Sequence, residues 1–188
     1  MLHENSQRLL DEWRRQTPDG ARLPQRTAMS PMGFGPLLSQ ILVLGCDRSG
    51  HATFRLAGGM VTGLHGRDLR DAEFAPQWQR DQRPRLRAHL EDARRTAQPL
   101  VLQATGHGLH GIRLDLEIIL APLEGPGGEP DRFIGLYQLL EPTPLLTGRP
   151  VSQLSMTSAQ RVADPAPRRT AGPAPHLRLV VNNGRRVA

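Results

Sequence analysis

The stretch from Gly50 to Leu69, GHATFRLAGGMVTGLHGRDL, decides how the rest of the chain is read. Residues alternate across an extended strand, so Thr53–Ala57 reads as a strand with Phe54 and Leu56 on one face. The pair Gly58-Gly59 ends it, because adjacent glycines adopt dihedrals closed to other residues. A small-residue segment with Gly63 and Gly66 follows. It is expected to leave the sheet in short irregular turns and lay Met60, Val61 and Leu64 over its face, before Gly66-Arg67-Asp68-Leu69 closes the passage.

Upstream, Ile41-Leu42-Val43-Leu44 is a short buried strand, and Cys46-Asp47-Arg48-Ser49-Gly50 is rich in turn formers, so the two strands form an antiparallel hairpin. Downstream, Pro76 and Trp78 suggest a brief helical turn over the core. Pro84 opens a longer helix in which Leu86, Leu90, Ala93 and Ala97 recur at helical spacing. Glu91 and Arg95 on this helix are four apart and suited to pair. Leu100–Thr105 and Ile112–Ile118 are two more strands. The second is apolar at even positions and charged at 113, 115 and 117, as in a half-exposed antiparallel strand. A Gly/Pro loop from Glu124 to Asp131 precedes a final strand, Arg132–Leu140.

Leu2, Leu9, Leu10 and Trp13 form a stripe on an N-terminal helix over residues 5–16, with Asn5 or Ser6 suited to cap it. Such a stripe packs against its own domain or against a second subunit, which makes a homodimer contact through this helix one reading. From Pro142 onward prolines and small polar residues leave too little apolar content for a second core. The expected organisation is an N-terminal helix (1–22), one domain (23–142) and a Pro/Arg-rich linker and disordered tail (143–188), in which Leu177–Val181 is read either as a frayed end or as a short terminal strand or docking motif.

Among 188 residues the 24 basic ones are all arginine. Chemistry that needs a lysine amine is excluded, including Schiff bases and the P-loop lysine. Residues 1–142 hold 17 arginines and 17 acids, whereas 143–188 hold seven arginines and only Asp164, so the net charge of +6 lies in the tail. A neutral body with a basic appendage points to an unstructured arm before it points to nucleic acid, and the tail lacks aromatic residues for base stacking. The single cysteine, Cys46, excludes an internal disulfide and has no local partner to lower its pKa. The absence of a signal segment or a long apolar span makes a soluble cytoplasmic protein without a membrane partner the expectation.

Gly106-His107-Gly108-Leu109-His110-Gly111 has G-x-G-x-x-G spacing, but it joins two strands, and a dinucleotide site needs a helix N-terminus aimed at the pyrophosphate. His107 and His110 share this turn without an acid or cysteine at ligand spacing, so no metal site is expected. No catalytic set is present, and the chain is read as a non-enzyme. His65 has two readings: a surface loop histidine, or a side chain facing a pocket, where it offers a hydrogen bond or a haem ligand.

Several fragments in order carry a family resemblance: Leu23-Pro24-x-Arg26 with Pro31, Leu37-Leu38, Phe54-Arg55-Leu56-Ala57-Gly58, Gly66-Arg67-Asp68-Leu69 and Leu120-Ala121-Pro122-Leu123. Over about residues 9–141 the chain resembles alphaproteobacterial standalone PAS-like proteins, a largely uncharacterised branch of the PAS superfamily. The resemblance implies an α+β fold with a five-stranded antiparallel sheet and helices over one face. It also implies a sensory or regulatory module of bacterial signalling, acting in trans through a small ligand, another signalling protein, or both. The candidate cavity lining is Phe54, Leu56, Met60, Leu64, His65, Trp78, Leu90, Leu102, Leu116, Ile118 and Leu136. The apolar members of this set serve equally as a filled core. A nucleic-acid-associated protein using its basic tail and a small enzyme are the competing readings, and no cofactor is assigned.

Overall fold

In a computed structural model, residues 1–19, 21–141 and 150–162 are described. The alternating segments become strands β1 (Ile41–Cys46), β2 (Ala52–Ala57), β3 (Leu100–Gly108), β4 (Arg113–Glu124) and β5 (Pro130–Leu139). A sixth strand, β6 (Val151–Arg161), joins them in a sheet of order β2-β1-β5-β4-β3-β6, every pair antiparallel. The linker reading of 143–188 is therefore corrected over 151–161. Val151, Leu154 and Met156 are buried there, and the strand pairs with β3 along its length. Leu177–Val181, with its two readings, lies outside the described residues.

Both faces of the sheet are covered. On one face lie Leu42, Leu44, Phe54, Leu102, Leu116, Ile118, Phe133 and Tyr137, in a single buried cluster with Val61 and Leu64 of α2 (Gly59–His65), Trp78, and Leu86, Leu90 and Ala93 of α3 (Arg83–Thr96). The Gly58-Gly59 break thus opens a seven-residue α-helix rather than irregular turns. The other face carries Ile41, Val101, Ile119, Ala121, Ile134 and Leu136 against Leu9, Leu10 and Trp13 of α1 (Glu4–Gln16). Trp13 Nε1 donates to the Pro122 carbonyl at 2.8 Å. The stripe on α1 is therefore buried on its own sheet, which is the first of its two readings, and Leu9, Leu10 and Trp13 are not presented to a second subunit.

Local details also depart from the sequence pattern. The α1 cap is His3, whose Nδ1 accepts from the Asn5 backbone N–H at 3.1 Å, while Asn5 itself reaches Gln138. Glu117 is buried where a half-exposed strand was expected, because the N-terminal segment crosses it. The His3 N–H donates to its Oε1 at 3.0 Å, and Gln103 Nε2 donates to its Oε2 at 2.9 Å. On α3 the ion pairs run three apart, Glu91 with Arg94 and Asp92 with Arg95, rather than Glu91 with Arg95.

Unpaired edge strands invite aggregation, and here both edges are occupied. Residues 71–74 bond along β2: the Asp71 N–H donates to the Phe54 carbonyl and the Phe74 N–H to the Ala52 carbonyl, each at 2.8 Å. On β6 the Gln79 N–H donates to the Leu154 carbonyl at 2.9 Å, and the Met156 N–H donates to Gln82 Oε1 at 2.6 Å. The helical layer is thereby stitched to both ends of the sheet.

Candidate functional site

At the C-terminus of α2, Gly66 takes the left-handed conformation (φ +63°), and its N–H returns to the Gly63 and Thr62 carbonyls. That cap turns the chain outward and leaves His65, the last helical residue, facing in. Only 7% of His65 is exposed, so the surface-loop reading of this residue is corrected. Its ring meets Tyr137 of β5 edge-on, with centroids 6.0 Å apart and planes inclined at 63°. Tyr137 is fully buried opposite Ile118 of β4.

Neither His65 Nε2 nor the Tyr137 hydroxyl has a hydrogen-bond partner among the described residues, and the same holds for Trp78 Nε1 in the same core. Leaving a buried donor or acceptor unmade costs about 1–3 kcal/mol, so such groups mark either a standing cost or a place where a guest is received. Burial, assisted by the Arg67 charge, pulls the His65 pKa down to about 4. Burial also drives the Tyr137 phenol well above its ordinary value. Both groups are therefore neutral over the physiological range. Trp78 stands edge-on to Phe74 at 5.7 Å, and Phe74 edge-on to Phe54 at 5.6 Å, so aromatic rings fill the layer beside the pair.

Of the expected lining, Phe54, Leu64, Trp78, Leu90, Leu102, Leu116 and Ile118 are brought together in this core, and Met60 packs half-buried against it. Leu56 and Leu136 are not. Leu136 points to the α1 face with Ile134, as alternation along β5 dictates. Leu56 is turned there by a bulge, since Leu44 pairs with Phe54 and Val43 with Leu56, leaving Arg55 unopposed and reversing the facing beyond it. Both are corrected as lining residues. Sequence reasoning does not single out Tyr137, although the chain's one tyrosine, within the apolar run Phe133–Tyr137 of the last strand, is the available signal.

Tyr137 stands edge-on to His65, and Phe54, Phe74 and Trp78 are fully buried in the same cluster, so a macrocycle such as haem would have to displace this packing. His107 Nε2 lies 2.7 Å from Ser155 Oγ on β6. No cluster of three potential metal ligands occurs among the described residues. Cys46 is held by burial at a pKa of about 12, which leaves it a protonated, weakly nucleophilic thiol. No helix among the described residues is long and apolar enough to cross a membrane.

No curated protein matches this chain. Among solved structures it is similar to a LOV protein of Rhodobacter sphaeroides, at 16% identity and a TM-score of 0.45, covering 56% of this chain and 61% of that one. It is also similar to the dark structure of the blue-light photoreceptor Aureochrome1 LOV, at 10% identity and a TM-score of 0.45, covering 56% and 78%. A third similar structure is an RNA-binding light-oxygen-voltage receptor, at 15% identity and a TM-score of 0.45, covering 63% and 36%. The chain spans less than two thirds of the length of the Rhodobacter protein. A family model described as "PAS domain" matches residues 1–138 of 188, from α1 through all but the last residue of β5, and on that match the chain belongs to the PAS domain family.

Proposed function

We propose that this chain is a sensory PAS module that receives a small uncharged polar ligand at His65 and Tyr137 and passes its state in trans to another signalling protein. The observation that carries the reading is the pair of neighbouring, buried, neutral rings in which His65 Nε2 and the Tyr137 hydroxyl lack partners among the described residues. Charged ligands are disfavoured, because no buried counter-charge among the described residues stands with these rings and an unpaired ion is costly to bury. A ligand that both donates and accepts matches a phenol beside a neutral imidazole.

The module we propose runs from α1 through β6 around the domain of residues 23–142. Pro150, at the start of β6, lies so close to Gly66 that a Cβ there would stand 2.6 Å from the proline Cβ. A ligand seated at His65 favours one packing of α2 against β6 over another, and it does so only through differential affinity for the two. This is the route by which occupancy reaches the surface.

Native mass spectrometry of the chain purified from its own source, together with the variants Tyr137→Phe and His65→Phe, tests the reading. A small retained mass that disappears in both variants is expected. Retention of nothing by the unaltered chain, or equal retention by the variants, refutes the site.

A further inference from the structure

The face opposite that core carries a second feature, which neither the family match nor the proposed ligand accounts for. A cleft of about 400 Å³ has an apolar floor of Val43, Leu56, Leu123 and Met29 and a rim of Arg26, Arg55 and Arg132, with no carboxylate in its lining. The floor exists because the bulge at Arg55 turns Leu56 to this side, beside Val43. Arg132 makes no ion pair or side-chain hydrogen bond among the described residues. Arg26 and Arg55 hold Asp131 at 3.2 Å and Asp71 at 2.8 Å, in pairs whose side chains are 34–69% exposed. Exposed pairs of this kind are worth no more than about 1 kcal/mol, so an incoming carboxylate can replace either acid.

We propose that this cleft docks an extended acidic-apolar segment of the partner protein, its carboxylates on the arginines and its alternate apolar side chains on the floor. The inference rests on the trans-acting reading above and names the chemistry of the partner. The sign of the rim excludes the chain's own end, since residues 143–188 hold seven arginines against Asp164. A second copy is no better suited, because residues 1–142 carry equal numbers of arginines and acids. Docking by strand addition is closed at this end of the sheet, where residues 71–74 already bond to β2. Nucleic acid finds phosphate partners here but no aromatic floor on which to stack. Arg26 and Met29 come from the segment before β1, while the other floor and rim residues come from β2, β1, β5 and β4, and three strand spacings make about 14 Å. That distance accommodates about four to five extended residues.

The test is fluorescence anisotropy of the intact chain with a labelled Glu-Leu-Glu-Leu-Glu peptide, beside Lys-Leu-Lys-Leu-Lys and Glu-Ser-Glu-Ser-Glu counterparts. The acidic-apolar peptide is expected to bind best and to weaken as salt rises. Arg132→Glu and Leu56→Ser are each expected to weaken it by about fivefold or more, with thermal melts confirming that both variants fold. Failure of the acidic-apolar peptide to bind, equal binding of the serine counterpart, or unchanged affinity in both folded variants overturns the cleft as the docking site. A partner that is still captured by an Arg132→Glu, Leu56→Ser double variant leaves trans signalling standing and removes this surface from it.

Discussion

Replacing His65 with glutamine should flatten one limb of the stability profile against pH. The imidazole is 7% exposed, and burial beside Arg67 holds its pKa at about 4, against the ordinary 6.5 that it regains on unfolding. Between these values the unfolded chain binds the proton and the folded chain does not, so stability rises with pH across the window. Above pH 6.5 both states are neutral and the contribution is complete; as pH falls toward 4 it is lost. At about 1.4 kcal/mol per pH unit, the loss is on the order of 3 kcal/mol. Carboxylates and His89 also titrate, but they do so in both proteins, so the difference between the unaltered chain and His65→Gln isolates this residue. Urea unfolding at half-unit steps from pH 7.5 to 4.5 measures it, and the unaltered chain should lose stability relative to His65→Gln as pH falls. Parallel curves, or an NMR titration placing His65 near 6.5, would refute the claim that this ring is buried and unpaired.

Three further outcomes follow from the packing. Gly58→Ala places a Cβ 2.4 Å from the Leu38 and Ser39 carbonyl oxygens, which are backbone and cannot rotate away, so chemical denaturation should show a loss of about 2 kcal/mol or more. Leu154→Ala should cost about 3 kcal/mol by the same assay, because this fully buried β6 side chain belongs to the main core; a loss under 0.5 kcal/mol would show that β6 does not pack there. Cys46, with its thiol held at about 12, should react with a disulfide reagent at pH 8 at least about tenfold more slowly in the native chain than in urea, and equal rates would contradict its burial.

Much of the sheet was legible from local pattern. Alternation in Thr53–Ala57 and Ile112–Ile118 and the turn chemistry of Cys46–Gly50 each report on neighbours a few residues away, and the strands formed where they indicated. Helical spacing in residues 83–96 and the stripe of Leu9, Leu10 and Trp13 likewise marked which sides are buried. Which surface each side would meet was another matter. The stripe on α1 carries the same spacing whether it packs on its own sheet or on a second subunit, and contacts across more than a hundred residues, Trp13 to Pro122 and His3 to Glu117, made the choice.

The candidate site was half legible for a related reason. Period-two reasoning placed Phe54 correctly and Leu56 wrongly, since the bulge at Arg55 arises from pairing with β1 and leaves no mark on β2's own alternation. β6 was hidden between prolines in a polar stretch, and it becomes a strand because β3 offers it an edge. By itself the sequence determined the centres of five strands and of the helices at 4–16 and 83–96, and that the body is neutral with its excess charge behind it, because dihedral preference, periodicity and formal charge are properties of the local chain. Only the tertiary structure decided that His65 and Tyr137 stand buried together with unmet polar atoms, and that three arginines rim an apolar floor on the opposite face, because burial and proximity are set by segments distant in the chain.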